Sequence, residues 1–76
     1  QGHSAIIYNL NKPGAIGSLG SVLGNIGINI GQMQVGEEAE RDTSIIYIRT
    51  DTPIPDPVIE EMRNLPLIKT VIPVEL

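Results

Sequence analysis

The chain has 76 residues, with five Lys or Arg, nine Asp or Glu and a formal net charge of −4. It has no Cys and a single His, so disulfides, thiolate metal sites and multi-histidine metal sites are excluded. A domain this short buries only about 60% of its unfolded surface, so we expect support from self-association or from a larger chain. The acidic balance disfavours nucleic-acid binding, and no apolar run approaches the roughly 20 residues of a membrane span.

The first three residues, Gln1-Gly2-His3, resemble what a cleavable tag leaves behind, and we assign the single domain to residues 4–76. The chain does not open on a positively charged segment followed by an apolar one, so it lacks the pattern of a signal peptide. Without Cys the chain forms no disulfide, and disulfides are rare in proteins of reducing compartments. We therefore expect a cytoplasmic protein.

The first half of the chain predicts a strand, a helix and a second strand. Residues 4–10 are apolar and β-branched, and the Asn-Lys-Pro-Gly sequence after them predicts a helix start near Pro13. Apolar residues then recur at helical spacing and predict the buried stripe Ile16, Leu19, Leu23 and Ile26, with Val22 at its edge. Gly20 on that stripe is expected to let the helix lie close to its sheet, and Gly27 to end the helix. Residues 28–35 alternate and predict a strand.

The second half repeats this order. Residues 36–42 are charged and turn-like, residues 43–50 predict a strand, and a Pro-rich loop follows. Asp56 is predicted to cap a helix with Pro57 at its first position. The apolar stripe of this helix is predicted from Val58, Ile59, Met62 and Leu65. Residues 68–74 predict a last strand, and Pro73 inside it indicates the edge of a sheet.

The order βαββαβ predicts an α+β, ferredoxin-like sandwich: a four-stranded antiparallel sheet with two helices on one face. The expected strand order is 4-1-3-2, which leaves strand 2 as an edge with little charge and no Pro, open to pairing. Alternation predicts that Ile6 and Tyr8 lie on the opposite face from Ala5 and Ile7. In the third strand it predicts Ile45 and Tyr47 opposite Ser44, Ile46 and Ile48, so neither face has the clean polar pattern of a solvated sheet. The edge and the face both indicate a surface for a partner.

No sequence pattern of a common catalytic site occurs in the chain. The acidic residues Glu37, Glu38, Glu40 and Asp42 could form a paired-carboxylate site, but their turn-rich context favours a solvated hairpin loop. The glycines at positions 14, 17 and 20 have the spacing GxxGxxG, which is not the dinucleotide-binding pattern GxGxxG. We expect no catalytic residue in the chain.

Asparagines mark the end of the first strand and the start of the second. Asn9 and Asn11 precede a helix start, where main-chain N–H groups would form a seat for a carboxylate, namely those of Gly14, Ala15 and Ile16. Amide side chains both donate and accept, which suits a ligand with an ammonium and a hydroxyl group. If two edge strands pair, Asn29 of one copy could reach this loop of the other. The alternative, equally consistent with the sequence, is that these asparagines serve only to cap the helix and to turn the chain.

Two motifs resemble those of the ACT domain, a small amino-acid-sensing module of metabolic enzymes. They are Asn9-Leu10-Asn11-Lys12-Pro13-Gly14-Ala15-Ile16 and Gly27-Ile28-Asn29-Ile30. The family pattern is a strand, N-x-D/N-x-P-G-hydrophobic, a helix, and G-h-N-I at the second strand. The resemblance runs from residue 4 to residue 76. The strings GSVLGNIGINIGQMQVG and DTPIPDPVIEEMRNLPLIKTVIPVEL look most like the C-terminal regulatory domain of an NAD-dependent dehydrogenase of serine biosynthesis.

This resemblance implies an allosteric domain that binds an amino acid, L-serine in that enzyme, between two copies joined edge to edge. It implies a homodimer through strand 2 and helix 1, with NAD bound only by a separate catalytic part. By position, Asn11 and Asn29 match the serine-binding amides of the family, whereas Asn9 stands where the best-studied members have His. The implied contacts also include Ile30 and the loop from Leu10 to Ile16, that is Lys12, Pro13, Gly14 and Ala15.

Other readings of the sequence stay open. The same fold could belong to an L-serine dehydratase or to another amino-acid enzyme, or it could be a dimerisation domain without a ligand. An acyl-phosphate hydrolase of this fold would need an anion-binding Arg in the loop, where this chain has Lys12.

Overall fold

The computed structural model describes residues 3–12, 14–37 and 42–74. Four strands and two helices follow in the predicted order: β1 Ser4–Leu10, α1 Ala15–Asn25, β2 Ile30–Glu37, β3 Thr43–Thr50, α2 Asp56–Arg63 and β4 Ile68–Val74. The bounds of β1, β3 and β4 are those predicted, because each is a β-branched run with turn residues at its ends. Neither helix has the length and apolar character needed to cross a membrane.

The strands form one antiparallel sheet in the order β2-β3-β1-β4. This order confirms the predicted ferredoxin-like fold, with β2 and β4 as the two edges. Pro73 lies on β4 opposite Ala5 of β1, at an edge where its missing N–H does not interrupt a ladder between two inner strands. β2 is the edge that carries no proline.

The core lies between the sheet and the two helices. On the central strands the helix-facing residues are fully buried, which confirms the predicted alternation: Ala5, Ile7, Ile46 and Ile48. Helix residues Leu19, Leu23 and Met62 pack against them with no exposed surface. On the opposite, open face of the sheet, Tyr8 and Ile72 are about two-fifths exposed. The open face therefore carries apolar side chains that nothing in the described chain covers.

The buried stripe of α1 differs from the prediction. It consists of Ala15, Leu19, Val22 and Leu23, whereas Ile16 is 44% exposed and Ile26 is 48% exposed. The helix begins at Ala15, so its inward positions are counted from this small residue at i, i+4, i+7 and i+8. An alanine gives a weak hydrophobic pattern, and the larger side chain of Ile16 next to it misled the sequence interpretation.

Gly27 ends α1, as predicted. Its φ is +79°, and its N–H donates to the Gly24 carbonyl at 3.1 Å while the Ile28 N–H donates to the Leu23 carbonyl at 3.0 Å. These two bonds are the Schellman arrangement, which satisfies carbonyls at the helix end. Because this turn uses the residues up to Ile28, β2 begins at Ile30, two residues later than predicted.

Gly20 does not have the predicted role of bringing α1 close to the sheet. A Cβ atom added to Gly20 would meet no heavy atom within 4 Å. The contact between α1 and the sheet is made by the larger side chains beside it, so the space at Gly20 is open.

The N-cap of α2 is Pro55, not Asp56 as predicted, and no side chain caps the helix. Pro55 has extended backbone angles (φ −62°, ψ 150°), which makes Asp56 the first helical residue and Pro57 the second. Asp56 still places a negative charge in the first turn, where the helix dipole favours it. The predicted stripe is confirmed: Val58, Ile59 and Met62 are buried, and Leu65 packs against the core after the helix has ended.

Two predicted segments lie wholly or partly outside the described residues. In the acidic turn, β2 extends through Glu37 and β3 begins at Thr43, while Glu38 and Glu40 are not among the described residues. In the segment assigned to a tag, Gln1 and Gly2 are likewise outside them. The carbonyl of His3 accepts two hydrogen bonds from Thr50, one from its N–H at 2.8 Å and one from its Oγ1 at 3.2 Å.

Candidate functional site

The loop after β1 leaves the sheet through a tight turn. The Leu10 N–H donates to the Leu67 carbonyl at 2.8 Å, and the Asn11 N–H donates to the Asp42 carbonyl at 2.7 Å. The Lys12 N–H then folds back to the Leu10 carbonyl at 2.9 Å. These main-chain bonds fix the direction of the loop, while the side chains of Asn11 and Lys12 are exposed at the end of the sheet.

Asn9, the residue before this turn, points into the helix-facing layer. It is 2% exposed. Its Oδ1 accepts a hydrogen bond from the Ser44 hydroxyl at 3.0 Å, and its Nδ2 donates to the Leu10 carbonyl at 2.8 Å. The Asn9 amide is thus engaged inside the fold and holds the same carbonyl that closes the turn.

The start of α1 has main-chain donors that are weakly bonded or free of described partners. Gly14 is the N-cap, with φ +96°, and its carbonyl accepts the Ser18 N–H at 2.8 Å. The Ala15 N–H reaches the Lys12 carbonyl only at 3.4 Å, and no described residue outside the helix accepts the N–H of Gly14 or Ile16. This helix start therefore has donors of the kind predicted to receive a carboxylate. Pro13, also predicted to line the site, lies outside the described residues.

Asn29 is held by its main chain at the start of β2. Its N–H donates to the Asp51 carboxylate at 3.1 Å, and its carbonyl accepts the Asp51 N–H at 3.1 Å. The residue is exposed, and its side-chain amide has no hydrogen-bond partner among the described residues. Ile30 follows as the first residue of β2, opposite Thr50.

The two exposed amides, Asn11 and Asn29, lie at opposite ends of one copy of the sheet. Asn11 follows Leu10, which pairs with Thr43, whereas Asn29 precedes Ile30, which pairs with Thr50. Thr43 and Thr50 are the two ends of β3, and a strand of this length separates its ends by roughly 23 Å. A single copy therefore cannot bring both amides to one small ligand.

The edge of the sheet beside β2 has exposed apolar residues. Val35 is 46% exposed on β2, and α1 has a further exposed apolar residue, Ile16, at 44%. Because α2 lies along β4 and α1 packs beside α2, α1 occupies the half of the helix layer nearer to β2. On the open face, a shallow hollow at the same edge is lined by Gln34, Val35, Gly36, Ile45 and Tyr47.

Two supporting residues were not found from the sequence. Asp51 holds Asn29 from 22 positions away, and Ser44 holds Asn9 from 35 positions away. Both contacts join segments that the fold brings together, so no local pattern could reveal them. The residue pairing of β1 with β3 would have given a clue to the second, because Asn9 and Ser44 are direct cross-strand partners.

The fold and the arrangement of its polar groups define a class: a ferredoxin-like domain with exposed amides and helix-start N–H groups at strand ends. In its described part, no three His, Cys, Asp or Glu residues are grouped so that they could hold a metal ion. The model of the ACT domain family matches residues 3–67. The chain belongs to this family.

The relatives of the chain carry one name. It is 38% identical over 76 residues to D-3-phosphoglycerate dehydrogenase of Methanocaldococcus jannaschii, covering 100% of the chain and 14% of that protein. It is 38% identical over 73 residues to the enzyme of that name in Synechocystis, covering 93% of the chain and 13% of the relative. A match of 41% over 58 residues to the Mycobacterium bovis enzyme covers 76% of the chain and 11% of the relative. The chain thus spans about a seventh or less of these curated relatives.

A solved structure has the same fold. The acetolactate synthase small subunit from Thermotoga maritima superposes with a TM-score of 0.72 at 25% sequence identity. The superposition covers 96% of this chain and 47% of that one. The β2-β3-β1-β4 sheet with its two helices is therefore an architecture that this domain shares with the subunit of another enzyme.

Proposed function

We propose that this domain binds an amino acid, with L-serine as the first candidate, and that it regulates a D-3-phosphoglycerate dehydrogenase of which it is part. The separation of Asn11 and Asn29 carries the proposal. In a dimer formed by antiparallel pairing of two β2 edges, the twofold axis moves Asn29 of one copy to the end of the sheet where Asn11 of the other lies. Two copies would then complete two identical sites.

Each proposed site has groups for the whole of a small zwitterion. The helix-start N–H groups of Gly14, Ala15 and Ile16 would receive the carboxylate. The amides of Asn11 and of the other copy's Asn29 would accept from the ammonium group and exchange hydrogen bonds with the hydroxyl. Residues 10–16 and 29–30 would line the site, including Leu10, Lys12, Pro13 and Ile30, while the buried Asn9 would hold the turn from inside the fold.

The proposed regulation follows from a ligand that contacts two copies at once. Such a ligand stabilises the arrangement in which the edges are joined, and it shifts the population of any parent enzyme whose active site differs between arrangements. The names of the relatives support a dehydrogenase as parent. NAD would then be bound by the catalytic part, and this domain would contribute no catalytic group.

The test is calorimetric titration of the domain with a panel of amino acids, followed by two variants. L-Serine should bind, and Asn11→Ala and Asn29→Ala should each lose roughly tenfold or more in affinity, because each removes hydrogen bonds to a charged or polar ligand group. Asn64→Ala, which removes an exposed amide beside α2, is the matched control and should bind normally.

A mixing experiment tests whether the site is shared. After subunit exchange between Asn11→Ala and Asn29→Ala dimers, half of the dimers are mixed and each holds one intact site, so about a quarter of the wild-type sites should return. No recovery after verified exchange would contradict a shared site.

The panel also separates the remaining alternatives. Selective binding of a different amino acid would indicate a domain of another amino-acid enzyme, as the resemblance to the acetolactate synthase small subunit makes worth testing. An intact dimer that binds no amino acid would indicate a purely structural dimerisation domain.

A further inference from the structure

We infer that Asp51 is a positioning residue of the amino-acid site: it holds the main chain of Asn29 so that the free amide is presented to the partner copy. The inference rests on the proposed function, and it adds a residue that neither the motif pattern nor the family resemblance singled out. The loop that follows β3 would therefore contribute to ligand affinity.

The first observation is that Asp51 holds both sides of the Asn29 main chain. The carboxylate Oδ1 of Asp51 accepts the Asn29 N–H at 3.1 Å, and the Asp51 N–H donates to the Asn29 carbonyl at 3.1 Å. The Thr52 hydroxyl lies 3.5 Å from the same Oδ1 and adds a long contact. A residue bound through both main-chain groups has little freedom to rotate about its own position.

The second observation is that, among the described residues, Asn29 itself forms hydrogen bonds only with Asp51, although Ile28 before it is buried in the core. The preceding Gly27 is in the left-handed region with φ +79°, and Ile28 is the last residue of the turn that ends α1. Regular pairing of β2 with β3 begins only at Ile30, and its register shifts between Ile30 and Gln32. Asn29 thus lies between a helix end and an irregular strand start, and the contacts with Asp51 add direct hydrogen bonds to both of its main-chain groups.

The third observation concerns what the clamp leaves free. The side chain of Asn29 is exposed and makes no hydrogen bond to a described residue, although its main chain is fully engaged. Fixing the main chain while leaving the amide free is the arrangement that lowers the ordering cost of ligand binding. Losing the carboxylate should therefore weaken binding without removing any atom that touches the ligand.

The experiment measures L-serine affinity by calorimetry in the dimeric domain for Asp51→Ala and Asp51→Asn. Asp51→Ala should weaken binding roughly two- to tenfold, the effect of one hydrogen bond converted to a binding ratio. Asp51→Asn keeps an oxygen that accepts the Asn29 N–H, so it should restore the wild-type affinity. Glu61→Ala removes the same charge from an exposed position on α2 and should bind as the wild type does.

Amide hydrogen exchange without ligand gives a second readout. The Asn29 N–H should exchange faster in Asp51→Ala than in the wild type or in Asp51→Asn, while amides of the core strands should be unchanged. Global unfolding midpoints measured in parallel show whether the loss of affinity is separate from a loss of stability.

Three results would overturn the inference. One is wild-type affinity in Asp51→Ala. Another is equal loss in Asp51→Asn and Asp51→Ala, which would indicate that the carboxylate acts as a charge on the ligand's ammonium group. The third is unchanged exchange at Asn29. The proposed function fails only if the wild-type domain binds no amino acid. The inference about Asp51 fails when the wild type binds and the variants give one of these three results, so the two failures are distinguishable.

Discussion

Asn9 and Ser44 lie opposite each other on β1 and β3, with both side chains on the helix-facing side of the sheet. Each is 2% exposed, and each satisfies the other among apolar neighbours. The remaining bond, from Asn9 Nδ2 to the Leu10 carbonyl, ties this buried pair to the turn that presents Asn11. A polar pair in the core is therefore continuous with the exposed loop.

Removing the Ser44 hydroxyl should destabilise the domain. Ser44→Ala leaves Oδ1 of Asn9 buried without a donor, which should lower the free energy of unfolding by about 1–3 kcal/mol. Ser21→Ala removes the same atom from an exposed position on α1, where alanine is a better helix former, and should cause no loss. Urea unfolding at one fixed protein concentration measures both. Equal effects of the two substitutions would contradict a satisfied buried pair.

At this scale the sequence indicated which residue types matter but not which way they point. Asn9 and Asn11 belong to one motif, yet Asn9 is engaged inside the fold while Asn11 is exposed. Alternation along β1 predicts Asn9 on the side of Ala5 and Ile7. Its hydrogen-bond partner depends on the pairing of β1 with β3, which the fold supplies.

Among the elements, α1 depends most on glycine. Gly14 precedes it with φ +96° and Gly27 follows it with φ +79°, while its interior contains three further glycines. The glycines at the two ends adopt backbone angles that other residues reach only with strain. The interior ones have helical angles and open space around them, so they weaken the helix without an evident gain inside one copy.

Two glycine-to-alanine substitutions in α1 should have opposite effects. Gly27→Ala should lower the free energy of unfolding by about 1–2 kcal/mol, the cost of the left-handed conformation for an L-residue. Gly20→Ala should raise it by about 0.5–1 kcal/mol, because a Cβ there meets nothing within 4 Å and alanine restricts the unfolded chain. Thermal and urea unfolding measure both. Destabilisation by Gly20→Ala would mean that a neighbouring copy occupies the space beside it.

The strands were more predictable than the first helix. Runs of β-branched residues between turn residues gave the ends of β1, β3 and β4 directly. In α1 the inward stripe begins at Ala15, and a small residue contributes little to a hydrophobic pattern. The start of β2 moved to Ile30 because the helix-ending turn and the contacts with Asp51 use the two residues before it.

For the whole molecule, the unpaired edge of β2 is the feature that a second copy would cover. This edge has exposed Val35, no proline and the hollow beside it, whereas the other edge has Pro73. A strand edge without proline is a ready template for pairing.

A lysine introduced on β2 or on β4 should show which edge of the sheet forms the proposed dimer. Val35→Lys should dissociate the proposed dimer, because it buries an unpaired charge where two β2 strands meet. Ile72→Lys makes the same kind of change at 43% exposure on β4, against 46% for Val35, and should leave the dimer intact. Light scattering over a concentration series measures the outcome. Dissociation by Ile72→Lys alone would place the interface on the open face of the sheet.

The two edges of the sheet could be predicted from the sequence. The βαββαβ order implies two edges, and proline marks one of them. What the sequence left open is how the two amides are distributed, because motif spacing carries no information about the ends of a sheet. The antiparallel registers of β1 with β3 and of β2 with β3 supply it.

The placement of Asn11 and Asn29 at opposite ends of one sheet has a consequence for inheritance. In the proposed dimer, one gene encodes both halves of every site. Each copy contributes its Asn11 to one site and its Asn29 to the other. A substitution at either position therefore alters both sites of the pair equally, and no change in the coding sequence can silence one and spare the other. Only a cell that expresses two versions of the chain could assemble a pair with unequal sites.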